Sequence, residues 1–202
     1  MLKIRPASLS DLNSIADIHI RSFQGFFLTL MGRRFLEQLY RCFISYSDGL
    51  CIVACENDEI VGFAAGALRP EVFFRRVKRR KWFAFTVAAL PAIFLRPHRI
   101  LRRLIAAIFS RGEVLTAYPN AALLSSIAVE PRYEGKGIGR KLVSAFCQKI
   151  QDAGLNAVYL TTDRDNNDRV NKFYLQLGFS IENTFVQSGK RVMNLYALKI
   201  SK

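Results

Sequence analysis

The sequence predicts an α+β fold, a single domain built around a mixed β-sheet. Three observations carry that expectation. Residues 50–55 and 60–68 are apolar runs joined by Glu56-Asn57-Asp58-Glu59, the pattern of a β-hairpin. Residues 123–142 pass from aliphatic residues through Pro131 and three alternate glycines into a helical periodicity. Residues 157–162, AVYLTT, read as a short buried strand after that helix, as a parallel neighbour reached by a crossover would be. With 202 residues, 50% of them hydrophobic, the chain can bury one full core and is too apolar for disorder.

The other elements follow in order. Residues 2–5 alternate and open the sheet. Ser8 and Asp11 have capping-box spacing for a helix carrying Leu12, Ile15, Ile18 and Phe23. His19 lies near that stripe with no second base beside it, and is expected to be packed or at the surface. Residues 24–32 are unusually apolar for a connection. Phe26 and Phe27 there suit either core packing or the wall of a binding site. A second helix buries Phe35, Leu36, Leu39, Tyr40, Phe43 and Ile44. Gly62 and Gly66 point to a bulge or a close backbone approach in the second hairpin strand. The helix after the glycines carries Leu142, Val143, Phe146 and Ile150 and ends near Gly154. Residues 181–186 and 191–200, turning at Ser188-Gly189, close the sheet as a hairpin.

Charge is concentrated. The net charge is +14, and residues 69–111 hold 12 of the 30 Lys and Arg against one acidic residue, Glu71. Basicity is therefore local and argues for a partner surface. Within this stretch, residues 82–95 carry no charge, but 14 residues are too few to span a bilayer, which takes about 20. Pro91 is expected to interrupt the run. Residues 69–118 thus read as a basic amphipathic helical insertion with three candidate roles. It is a lid or self-association surface that would make a homodimer, a contact with an anionic membrane, or a nucleic-acid surface. Nucleic acid ranks last, because the basic residues alternate with aliphatics and not with stacking aromatics. Cys42, Cys51, Cys55 and Cys147 lack zinc-site spacing and read as reduced thiols. No signal-peptide pattern opens the chain. The expected location is cytoplasmic, peripheral on the inner membrane face.

The chemistry centres on residues 123–142. Strand, glycine-rich turn and helix together make an anion cradle, because turn amides and the helix dipole converge on one point. The spacing fits neither the P-loop nor the dinucleotide fingerprint, where Arg140 stands at the third glycine position. Val129-Glu130-Pro131 followed by Glu134-Gly135-Lys136-Gly137-Ile138-Gly139 resembles the pyrophosphate motif of the GCN5-related N-acetyltransferases (GNAT). Downstream, Asn167, Phe173, Tyr174, Gly178 and Phe179 are similar to a second GNAT motif, with Val170 in place of its usual alanine. Together the two motifs give a resemblance over most of the chain outside residues 69–118.

That resemblance implies the rest. The fold would be that of GNAT acyl-CoA N-acyltransferases, with central parallel strands 123–129 and 157–162 splayed around acetyl-CoA. Amides of Gly135, Lys136, Gly137, Ile138, Gly139 and Arg140 would hold the pyrophosphate. Main-chain groups of Ile127 and Val129 would pair with the pantetheine arm, and the amide of Ala128 or Val129 would polarise the acetyl carbonyl. Asn167 would contact CoA or hold its loop. Tyr174 would be the acid near the sulfur, its phenol at about 10 against a thiol at about 8.5. Asp163 and Glu130 are the candidate bases for the acceptor. Acetyl-CoA is the cosubstrate, with no metal.

Two positions depart from the pattern. Glu134 replaces the usual Gln or Arg and is expected to face solvent. The chain also resembles ribosomal-protein N-terminal acetyltransferases, which carry a Glu where Thr162 stands. The expected activity is acetylation of a primary amine on a small molecule or amino sugar near the membrane. A non-catalytic CoA-, lipid- or protein-binding module and a protein N-terminal acetyltransferase are the alternatives.

Overall fold

The computed structural model describes residues 1–95, 120–187 and 191–200. The expectations for 96–118 and for the turn at Ser188-Gly189 lie outside the described residues. The strands are β1 (Lys3–Pro6), β2 (Gly49–Glu56), β3 (Glu59–Ala67), β4 (Ala122–Val129), β5 (Ala157–Asp163), β6 (Ser180–Gln187) and β7 (Arg191–Lys199). They form one mixed sheet in the order β1-β2-β3-β4-β5-β7-β6. The helices are α1 (Leu12–Ser22), α2 (Phe27–Leu30), α3 (Arg33–Ser45), α4 (Pro70–Leu95), α5 (Ile138–Asp152) and α6 (Asp168–Gln176).

Local chemistry accounts for the elements. The Asp11 carboxylate accepts the Ser8 amide at 2.7 Å, completing the capping box, and the Arg5 guanidinium anchors it at 2.6 Å. Asn57 and Asp58 both take left-handed φ, 50° and 62°, so β2 and β3 are joined by the tight two-residue turn that suits strand twist. Alternation along β2 splits its side chains between two cores. Cys51 and Val53 pack with α1 and α3, and Ile52 and Ala54 pack with α5. The sheet is therefore covered on both faces.

The feature that shapes the site is in β4. It pairs with β3 through Val129, but Ser125 is skipped between the pairs Ala65↔Ser126 and Gly66↔Leu124. That bulge bends β4 and turns its later residues to new faces. Pairing with β5 covers only Ala122↔Val158 and Leu123↔Tyr159, just before the bulge. Meanwhile β5 stays paired with β7 to Asp163↔Met193. Each strand follows its outer neighbour, and the two part in the middle of the sheet. Gly66 is required here. A Cβ at that position would sit 1.9 Å from the Leu123 carbonyl oxygen and 2.9 Å from Phe146.

The basic insertion begins as α4. The Asp48 carboxylate, fully buried, pairs with Arg69 at 2.7 Å and Arg76 at 3.0 Å. Phe73 stacks on Phe43 with ring centroids 4.7 Å apart. Pro91 does not interrupt the helix as expected. It lies inside α4, where it removes the hydrogen bond to the carbonyl one turn earlier without ending the element.

Gly66→Ala tests this account of β4. The added methyl meets backbone that cannot step aside, so the variant should lose about 3 kcal/mol or more of unfolding free energy in denaturant titration. An unchanged midpoint would show that β3 and β4 approach less closely than described.

Candidate active site

The parting of β4 and β5 opens a cavity of about 840 Å³. It runs from the turn before α5 to the α1–α2 region, and α6 and the start of β7 line its far side.

Its floor is the free edge of β4. The Glu130 amide donates to the Val61 carbonyl at 2.8 Å. Hydrogen-bonded and non-bonded pairs alternate along an antiparallel ladder, so Ala128 directs its main-chain groups to Phe63 on β3. Ile127 and Val129 direct theirs the other way, into the gap that β5 has left. The extended arm of a ligand can pair there as a strand would. Of the two amides proposed to polarise a carbonyl, only that of Val129 faces this gap.

The cradle lies at one end. Gly135 and Gly137 have φ of +77° and +74°, and an added Cβ at either would meet nothing within 4 Å. Gly137 is the N-cap of α5, and it brings no side-chain cap to that terminus. The first amides of the helix are thus free to receive an anion. Gly139 serves packing, since its Cβ would touch Phe173 at 3.4 Å. Ile138 is buried beneath the turn, and Arg140 lines the cavity. Lys136 turns away, over the Tyr133 ring at 4.6 Å and toward Glu56 at 3.9 Å. Glu134 is exposed, as expected, and lies 2.8 Å from Arg169 of α6. That pairing offsets an anion beside an anion site.

Tyr174 is buried on the far wall, packed against Phe173, Phe179 and Tyr196. Burial, with a smaller contribution from the Tyr196 phenol, raises its pKa above the ordinary phenol value and keeps it protonated. Asn167 stands at the N-cap position of α6, where its side chain, instead of capping the helix, donates to the Thr162 hydroxyl at 2.9 Å and the Asp163 carbonyl at 3.0 Å. It holds the end of β5 in place and lines the cavity.

The two candidate bases are both in ion pairs. Both Asp163 oxygens accept from Arg191, at 2.8 and 2.5 Å, and Asp163 lines the cavity. Glu130 is buried and accepts twice from Arg21, at 3.1 and 2.6 Å. Arg21 and not Glu130 faces the cavity. Arg191 also lies over the Phe26 ring at 5.5 Å, which links β7 to the α1–α2 region across the cavity. Phe26, Phe27 and Leu28 line that end, so the apolar connection does form a wall.

His19 is packed, at 2% exposure, and it also lines the cavity. Its Nδ1 lies 2.6 Å from the Tyr40 hydroxyl, while Nε2 has no partner among the described residues. Burial lowers its pKa to about 4, so the ring is neutral near pH 7. Sequence reasoning missed Arg21, Arg169 and Arg191, which have no motif around them. The charge pattern of their partners, Glu130, Glu134 and Asp163, was the only available signal.

A sheet split around an anion cradle, with a buried phenol beside the gap, defines an acyltransferase of the acyl-CoA-using class. The acetyltransferase (GNAT) family model matches residues 12–179, and the chain belongs to that family. Family members use acetyl-CoA as cosubstrate. The mycothiol acetyltransferase of Nocardiopsis dassonvillei is 40% identical over 60 residues, which is 30% of this chain and 18% of that protein. The match thus spans about a fifth of that relative. Among solved structures, Ard1 from Thermoplasma volcanium has a TM-score of 0.64 at 17% identity, covering 100% of this chain and 99% of that one. The ribosomal-protein-S18-alanine N-acetyltransferase of Escherichia coli has a TM-score of 0.59 at 17% identity, covering 100% and 96%. Both likenesses concern the fold.

His19 gives a pH signature. Its folded-state pKa lies below the unfolded value of about 6.5. Its contribution is therefore complete above that pH and is lost as the pH falls toward 4. Unfolding free energy should drop by on the order of 3 kcal/mol across this window, and His19→Phe should flatten the slope. Equal slopes in both proteins would mean that the ring is not held neutral.

Proposed function

We propose that this chain transfers the acetyl group of acetyl-CoA to a primary amine on a small molecule. An amino sugar met at the cytoplasmic face of a membrane is the acceptor class we favour. The observation that carries the reading is the free edge of β4, which runs from the open cradle at Gly137 toward Tyr174. The residues fit the cosubstrate. Amides of residues 135–140 take the pyrophosphate, with Arg140 adding positive charge while Arg169 offsets Glu134. Main-chain groups of Ile127 and Val129 pair with the pantetheine arm.

Acetyl-CoA supplies a thioester, and the rest is the work of the side chains. The acceptor must attack as a neutral amine. Asp163, at the end of the cavity walled by Phe26 and Phe27, receives the amine proton. The Val129 amide stabilises the negative charge that develops on the carbonyl oxygen as the C–N bond forms. The C–S bond then breaks, and Tyr174 gives its proton to the departing sulfur. Burial raises the phenol, and it equally disfavours a free thiolate, so the proton moves as charge builds on the sulfur beside it. The acceptor is assigned to small molecules on two grounds. Thr162 stands where the N-terminal acetyltransferases carry Glu, and the mycothiol acetyltransferases resemble part of the chain.

Tyr174→Phe tests the assignment in an acetyl-transfer assay over a panel of small amines. The variant should lose about 10²-fold or more in kcat with the KM for acetyl-CoA within about twofold. Unchanged turnover would remove the acid role. No transfer to any amine by the intact protein would remove the activity.

A further inference from the structure

The candidates for a further role are the orphan Nε2 of His19, the exposed edge strand β6 and the outer face of α4, and α4 carries the most. This helix is about 39 Å long, from 26 residues at 1.5 Å each. It is fixed to the domain along its length. Asp48 and Phe43 hold its first turns, and Phe85 packs on Phe35 at 4.9 Å further along. Ala89 is buried with Met31, Phe27 and Phe35. Large apolar side chains on its outer side are exposed. Trp82 is 63% exposed, Phe83 65%, Val87 47% and Leu90 41%. At about 100° per residue Arg79, Phe83, Thr86 and Leu90 fall on one stripe, with Arg75 and Trp82 along one margin and Val87 along the other, and both arginines are exposed. Thr86 lies within the apolar part, but its hydroxyl donates to the Trp82 carbonyl at 2.8 Å and so asks nothing of water.

We infer that this face of α4 lies on an anionic bilayer and that the acceptor amine reaches the cavity from that surface. The stripe is graded, with the guanidinium groups of Arg75 and Arg79 first, Trp82 at the junction, and an apolar end beyond it. An anionic bilayer answers each part in turn. Headgroup phosphates meet the cations, the interface takes the indole, and the acyl boundary takes Phe83, Val87 and Leu90. Other occupants answer less. A second copy would bring two basic helices together. Nucleic acid would pair with the arginines and leave the apolar end wet. No described helix is long and apolar enough to cross a membrane, so α4 lies on the surface and does not span it.

The placement also orients the enzyme. Phe27 packs in the cluster with Ala89 on the inner side of α4, and it lines the cavity. The acceptor end of the cavity is thus separated from the bilayer face by the Phe27–Ala89 layer and the width of α4, about 10 Å, and the cradle opens at the other end. An amine carried on an amphiphile would enter beside α4 while the nucleotide enters from water. This second half rests on the transferase reading. The first half does not.

Trp82 is the only tryptophan in the chain, so its emission reports α4 alone. Intact protein is mixed at low salt with phosphatidylglycerol–phosphatidylcholine vesicles, some with brominated acyl chains, and with phosphatidylcholine vesicles. We expect a blue shift and bromine quenching with the anionic vesicles, and at least tenfold weaker binding to the neutral ones. Phe83→Ser with Leu90→Ser should weaken vesicle binding at least tenfold while leaving acetyl transfer to a soluble amine unchanged. Unaltered emission with anionic vesicles would overturn the inference. So would an equal shift with duplex DNA, or a shift that depends on protein concentration without lipid. Acetyl-CoA titration in a calorimeter separates the two readings. Acetyl-CoA binding without a vesicle response removes only the surface. A vesicle response with no acetyl transfer leaves the surface standing and removes the transferase.

Discussion

Two residue pairs are all that join β4 to β5 in the sheet, and most of the site depends on that shortness. A parallel pair inside a sheet would normally satisfy the main chain along its length. Here the bulge at Ser125 bends β4 toward β3, while β5 holds to β7 through Asp163. The result is an interior strand edge whose main-chain groups at Ile127 and Val129 have no main-chain partner among the described residues. Such an edge costs free energy when left dry. It persists because it opens into a cavity where water or an extended ligand can complete it.

The second constraint is electrical. The proposed reaction asks the site to attract a polyanion at one end and to take up an amine at the other. Each carboxylate near the cavity is matched by a guanidinium from a different element. Glu134 meets Arg169, Asp163 meets Arg191, and Glu130 meets Arg21. These pairs also tie the loop before α5 to α6, β5 to β7, and α1 to the end of β4. The balance leaves Arg140 and the bare start of α5 as the net attraction for phosphate. Around Tyr174 and His19 burial outweighs charge, and both groups are neutral near pH 7.

Much of this was legible in the sequence, for identifiable reasons. The cradle could be read because left-handed turns demand glycine, and Gly135 and Gly137 do take positive φ. The hairpin at Asn57-Asp58 and the capping box at Ser8 and Asp11 were equally local. Gly66 announced a close approach, although not that the partner atom was the Leu123 carbonyl. The missing parts were those set by distance in the fold. Arg169 belongs to a motif helix, yet nothing in the chain says that it reaches Glu134. His19 read as a packed histidine, which it is, but its place on the cavity wall follows only from how α1 lies on β4. Pro91 misled, since a proline within a helical pattern usually ends it. The packing of Phe85 and Ala89 keeps α4 in one piece around it.

Amide hydrogen exchange read residue by residue by NMR shows directly which amides of β4 are free. Without ligand, Ala128 should exchange slowly, because its N–H is bonded to β3, and Ile127 and Val129 should exchange fast. Acetyl-CoA should slow Ile127 and Val129 strongly and leave Ala128 nearly unchanged. If the nucleotide binds and the amides of Ile127 and Val129 keep their exchange rates, the strand-like grip on the pantetheine arm is contradicted.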